Sequence, residues 1–182
     1  FNAISKKALA AYKKSTLPKS YWDWGEHIDS NSAGAFPYTP ATNLLFGLNE
    51  AILMLKEEGL DHVFARHKRY AEATRLAVQT WGLEVLCENE DDFSNTLTAV
   101  LLPDGHNADE FRSIVLDNFN MSLGNGLSRL AGKVFRIGHL GDFNDLMLIA
   151  TLGGIEMGLS KSSIPHQVGG TQAAMQFLKQ NS

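Results

Sequence analysis

Cysteine is almost missing from this chain: Cys87 stands alone. A single thiol closes no internal disulfide, so the cytosol is the expected compartment. Positive charge is not in excess either. Lys and Arg number 16 against 20 Asp and Glu, a net charge of −4, which argues against general affinity for nucleic acid or an anionic membrane. Long apolar runs are lacking as well. The longest, residues 146–159, is interrupted by glycines and Glu156 and falls short of the ~18 residues a membrane span needs. The six histidines show no zinc-ligand spacing, and one cysteine adds no ligand cluster. No leader-like stretch is expected before the first helix. The chain opens on Phe1 and runs straight into helix-forming sequence, the pattern expected of a processed or truncated chain.

What is there suits one folded domain with extra structure, at 44% hydrophobic and 20% charged. Ser5 is placed to cap a short helix ending near Lys14. Residues 19–38 show no period and read as an exposed loop carrying Trp22 and Trp24. A helix is then expected with Thr39 as cap, Pro40 in its first turn and Gly59 at its end. Leu44, Leu45, Leu48, Ile52 and Leu55 form its apolar stripe. Asp61 should cap a second helix to about Trp81, with a basic RHKR run on its outer side. Beyond Gly82 the pattern reads strand, strand, helix, strand, strand, helix: an α+β unit with helices on one face of a sheet. Asn107 and Glu110 make a capping box for the middle helix. MSL, residues 121–123, reads as a short strand, Gly124-Asn125-Gly126 as a flexible turn, and a closing helix spans 171–180.

Two places suggest chemistry. Thr39 at a helix start offers a hydroxyl beside free N–H groups and the positive end of a helix dipole, which suits a phosphate or a carboxylate. Most helix N-termini bind only water. Arg136 sits mid-strand in GKVFRIGHLGD, on the face opposite Phe135 and Ile137. An arginine fixed by a strand presents two parallel donors that fit a carboxylate. The competing reading is a structural salt bridge to Asp142 or Asp145. A Gly153-Gly154 pair inside the helix after that strand points to close approach of a neighbouring backbone.

Three stretches, FPYTPATNLLFGLNEA, EEGLDHVFARHKRYAEATRLAVQTWGL and MSLGNGLSRLAGKVFRIGHLGD, resemble class V aminotransferases of the serine–glyoxylate and alanine–glyoxylate branch. The resemblance runs from Phe1 to about Leu159 in the same order. It implies the type I fold of enzymes that use pyridoxal 5′-phosphate, with a large doubly wound domain, a small C-terminal domain, and two subunits building each active site. The fold class is then α/β. Residues 1–70 would be the C-terminal remnant of the large cofactor-binding domain with the interdomain helix, and 71–182 the small α+β domain.

By the same resemblance, Arg136 corresponds to the arginine that binds the substrate carboxylate, its strand aiming it into the cleft between domains. Thr39 corresponds to the threonine that reaches the partner's cofactor phosphate. Relatives pair it with a tyrosine three residues earlier; Phe36 stands there, so Tyr38 is the candidate to take that part. The family's Schiff-base lysine lies ahead of the segment that FNAISKKALAAY resembles. No catalytic residue is therefore assigned, Lys6 and Lys7 included, and no metal is implied. The implied activity is transfer of the amino group of serine, or a similar small amino acid, to glyoxylate by a cytoplasmic homodimer, with no nucleic-acid or membrane partner. The alternative is a non-catalytic fragment or subunit that completes a dimeric active site with a separate lysine-bearing chain.

Overall fold

The computed structural model describes residues 1–181. The chain divides into two units, Phe1–Met54 (unit 1) and Leu55–Ser182 (unit 2). The described residues form seven α-helices and four strands in the order α1 (Lys6–Tyr12), α2 (Trp24–Ser32), α3 (Thr42–Glu58), α4 (Leu60–Thr80), β1 (Glu84–Val85), β2 (Leu97–Leu101), α5 (Ala108–Phe119), β3 (Gly124–Asn125), β4 (Val134–Gly138), α6 (Asp145–Lys161) and α7 (Gly170–Gln180). The expected residue-70 boundary falls within α4, which belongs whole to unit 2.

Ser5 caps α1 by accepting the Ala8 N–H at 3.1 Å, as expected. The region expected to be loop contains α2. Its cap is Asp23, whose carboxylate takes the Gly25 N–H at 2.8 Å and the Tyr12 hydroxyl at 2.5 Å. Glu26 stands in the first turn, so the cap pattern was present in the sequence, but a helix of Gly, Asn and Ser is weak without that support. No residue of unit 1 is fully buried.

Unit 2 holds the core. Its sheet has the order β1-β2-β4-β3, with every neighbouring pair antiparallel. The core cluster joins one sheet face (Val100, Phe135 and Ile137) to Trp81, Phe111, Leu148, Leu152, Ile155 and Leu159, all essentially buried. Each such side chain contributes about 1.5–3 kcal/mol by leaving water. Two expectations shift. Residues 121–123 are not strand. The supposed turn at Gly124-Asn125 is β3, because its backbone pairs with Arg136 and Phe135 of β4. Asn107 does cap α5, accepting N–H groups of Asp109 and Glu110.

The helix ends also differ in detail. Gly59, at φ +85°, separates α3 from α4 by a single residue, leaving Asp61 in the first turn instead of the cap position. Two arginines of the RHKR run turn inward. Arg69 grips Asp145 through two bonds of 2.7 Å and donates to the Leu178 carbonyl, tying α4 to α6 and α7. Arg66 grips Glu58 and reaches the Gly141 carbonyl at 2.9 Å. Spacing of three places both on the buried side of α4, between Val63 and Tyr70. At Gly154 a side chain, not a backbone, makes the close approach: an added Cβ would lie 2.8 Å from Met121 Cε.

The residue before α7 is Gly169, which has no side chain to cap the helix with. Glu156 of α6 supplies the cap from outside, taking the Thr171 N–H at 2.9 Å, the Thr171 hydroxyl at 2.7 Å and the Gly169 N–H. Burial pushes the Glu156 pKa upward most strongly, but these donors together outweigh it and hold it at about 2. The folded pKa lies below the ordinary 4.5, so this stabilisation is present above pH ~4.5 and is lost as pH falls toward 2. Replacing Glu156 by Ala removes the cap and is expected to destabilise unit 2 by about 1–2 kcal/mol at pH 7. Urea unfolding checks this, and an unchanged midpoint would refute it.

Candidate functional site

Arg136 occupies the middle of β4. Phe135 and Ile137 on either side of it are fully buried against the core, which fixes the strand and turns Arg136 to the opposite face. On that face Val134 is buried, so Arg136 and Gly138 are the β4 residues that reach solvent. In register beside Arg136 stand Ala99 of β2 and Gly124 of β3. Both neighbours are nearly devoid of side chain, and the guanidinium stem lies in the shallow lane they leave.

The salt-bridge reading does not hold. Asp145 is taken by Arg69, and among the described residues no carboxylate lies within ion-pair distance of Arg136. Its Nε is buried with no hydrogen-bond partner. A partly buried guanidinium with unused donors is poised for an anion, since such groups are seldom left unpaired. The chemistry it fits is a planar carboxylate gripped by two parallel N–H donors.

Among the described residues the one buried histidine lies just past β4. His139 is fully buried, with Nε2 2.9 Å from the Thr98 hydroxyl. Its Nδ1 is buried with no hydrogen-bond partner. Burial pushes its pKa down to about 4. The ring is neutral and packs the β2–β4 end, so its part is structural. Cys87 lies just past β1, with its thiol directed to the Asn89 carbonyl.

In unit 1, Thr39 is not the helix cap. The Thr42 N–H turns back onto the Pro40 carbonyl at 2.9 Å, and the Ala41 carbonyl takes the first helical bond, from Leu45. That tight turn moves the start of α3 three residues past Thr39. Thr39 is exposed, and among the described residues its hydroxyl has no partner. The first-turn N–H groups of α3 have no carbonyl of their own helix to bond, and no acidic residue stands in that turn. Tyr38 is differently placed. Its hydroxyl donates to Glu26 at 2.9 Å, and its ring packs 5.0 Å from Tyr21. A cavity of about 860 Å³ in this unit is walled by Trp22, Trp24, His27, Tyr38, Thr39 and Leu44, among others. Lys6 and Lys7 open α1 with exposed side chains.

The chain is 44% identical over 177 residues to a serine–glyoxylate aminotransferase of Arabidopsis thaliana, a match that takes in 96% of this chain and 44% of that protein. It is 42% identical over 184 residues to a serine–glyoxylate aminotransferase of Methylorubrum extorquens, covering 98% of the chain and 46% of the relative. The fold superposes on a ureidoglycine–glyoxylate aminotransferase of Bacillus subtilis with a TM-score of 0.83 at 26% identity, over 95% of this chain and 45% of that one. The chain is homologous to the C-terminal part of class V aminotransferases. It spans somewhat under half the length of these relatives. No family model matches it.

Gly124 was taken for a turn, and its place beside Arg136 follows only from strand pairing. None of the residues of α3 is buried, and Leu44 and Phe46 are each 75% exposed.

Proposed function

We propose that the protein containing this chain is a pyridoxal 5′-phosphate-dependent aminotransferase that moves the amino group of serine, or a similar small amino acid, to glyoxylate. The observation that carries the reading is Arg136: a strand-held guanidinium, free of internal carboxylates, in a chain homologous to aminotransferases. Arg136 binds the α-carboxylate of the amino donor and then that of the 2-oxo acid, through the same two donors. Holding that end fixes the orientation of the Cα substituents and removes rotational freedom before reaction.

The residues of unit 1 suit the cofactor's phosphate. Thr39 has an unused hydroxyl near the N-terminal end of α3, and no acidic side chain opposes an anion in that first turn. Tyr38 joins as a second ligand on releasing Glu26. When bound, pyridoxal phosphate supplies an electron sink for the charge that develops at the donor Cα. The lysine chemistry is assigned to no residue of this chain.

The protein acts as a cytoplasmic homodimer. The exposed apolar residues of α3, among them Leu44, Phe46, Ile52 and Leu53, are more than a monomer's surface leaves uncovered and suit a subunit contact. The same surface favours a second reading, in which this chain is a non-catalytic subunit completing a site with a separate lysine-bearing chain. None of the described helices is long and apolar enough to cross a membrane.

The test uses the intact protein with pyridoxal phosphate, serine and glyoxylate. Glycine and a 2-oxo acid are expected to form at equal rates. Changing Leu44 and Phe46 together to Glu should shift a dimer to monomers in sedimentation equilibrium. Absence of turnover with serine and other small amino acids would sink the enzymatic reading, and a wild-type monomer would sink the dimer. Turnover only after mixing with a second, lysine-bearing chain would select the subunit reading.

A further inference from the structure

We propose that Gly124 is a positioning residue for Arg136, setting the path of its guanidinium and through it the affinity for the substrate carboxylate. The inference rests on the reading of Arg136 as the carboxylate ligand.

Gly124 is the cross-strand partner of Arg136 on β3. Its backbone does not call for glycine, since its φ lies outside the left-handed range in which the chain's positive-φ glycines are found. Space is the reason. A Cβ built on Gly124 would lie 3.0 Å from Arg136 Cβ, 3.1 Å from Nε and 3.5 Å from Cζ. All three nearest atoms belong to Arg136. The arginine lies across the bare backbone of its neighbour, and any side chain at position 124 would make the arginine give way by a few tenths of an ångström.

On the other side stands Ala99 of β2, also in register. Facing residues of an antiparallel pair ordinarily have Cβ atoms about 4.5–5.5 Å apart. A methyl at position 124 would therefore push the Arg136 stem toward Ala99 and displace the guanidinium by a few tenths of an ångström or more. Nε gains nothing from the move, having no protein partner to hold it in a second position. The displacement passes to the two terminal donors, on whose fixed placing a bidentate grip depends.

The experiment is a two-by-two cycle on the intact aminotransferase: wild type, Gly124→Ala, Arg136→Lys and the double variant. Gly124→Ala is expected to raise KM for the amino donor about tenfold, with kcat changed less than about twofold, since a shift of a few tenths of an ångström already spoils the alignment of a two-donor grip. In the Arg136→Lys background Cε and Nζ take the places of Nε and Cζ but the fixed pair of parallel donors is gone, so the same substitution should change KM less than about twofold. An unaltered KM in Arg136→Lys would overturn the reading of Arg136 itself. A raised KM in Arg136→Lys with a normal KM in Gly124→Ala would overturn only the role of Gly124. Should Gly124→Ala lose the fold, restoration by Arg136→Gly, which removes the Cβ as well as the guanidinium, supports the contact, and failure to restore overturns it.

Discussion

Replacing Arg136 by Gln is expected to lower kcat/KM for the amino donor about a hundredfold while leaving the fold intact. Glutamine keeps a neutral NH2 group on a single nitrogen and loses both the charge and the parallel pair from two nitrogens. Hydrogen bonds to charged groups contribute about 1.5–3 kcal/mol each, and a loss of about 3 kcal/mol corresponds to roughly two orders of magnitude. The effect on stability separates this role from a structural one. Breaking a buried internal ion pair destabilises by about 3–5 kcal/mol. Arg136 has no such pair, because Asp145 is bound to Arg69. Its loss should therefore move the urea midpoint by less than about 1 kcal/mol of stability. Steady-state kinetics on the intact enzyme and unfolding of the same variant give both numbers. Unchanged kcat/KM, or a large fall in stability, would place Arg136 in the scaffold.

Acid should weaken unit 2 well above the range in which carboxylates titrate, and His139 is the cause. Burial holds its pKa at about 4, against 6.5 for an ordinary histidine. Between those values the unfolded chain takes up a proton that the folded chain refuses. Stability from this residue is thus complete above pH ~6.5 and falls as pH drops toward 4, by about 3 kcal/mol over the window. The depressed carboxylates, Asp145 beside Arg69 and Glu156 at the start of α7, lose their contributions only below about pH 4.5. Urea unfolding at pH 7.5 and pH 4.5 isolates the histidine. The wild-type chain should lose most of that 3 kcal/mol, and His139→Gln, which cannot take up the proton, should lose much less. Equal pH dependence in the two proteins would show that another group titrates.

Much of the fold was legible because local signals and burial agree. In β4, Phe135 and Ile137 alternate with Arg136, and the sheet buries the first two and spares the third. Asn107 caps α5 because an Asn before an apolar-periodic segment has few better uses for its carbonyl. Elsewhere the local signal was absent or pointed wrongly. Gly124-Asn125 has no strand propensity, and it is a strand because β4 lends its edge. α2 is short and poor in helix formers, and it holds through Asp23 and a hydroxyl from Tyr12. Thr39 had the residue type of a cap and the wrong distance, since the turn at Pro40 shifts the helix start.

The same division applies to the candidate site. The chain's own pattern determined that an arginine would sit mid-strand on the uncovered side, that α3 would be apolar, and that no disulfide would brace the fold. Whether that arginine would be spent on an aspartate was decided by tertiary structure, in which Arg69, carried by α4 to the start of α6, takes Asp145 instead. So was the lane in which it lies, made by Gly124 and Ala99 from segments distant in sequence. The physical reason is range. Period, capping and turn chemistry act over a few residues, whereas ion pairing and side-chain clearance depend on which distant segments the folded sheet brings together.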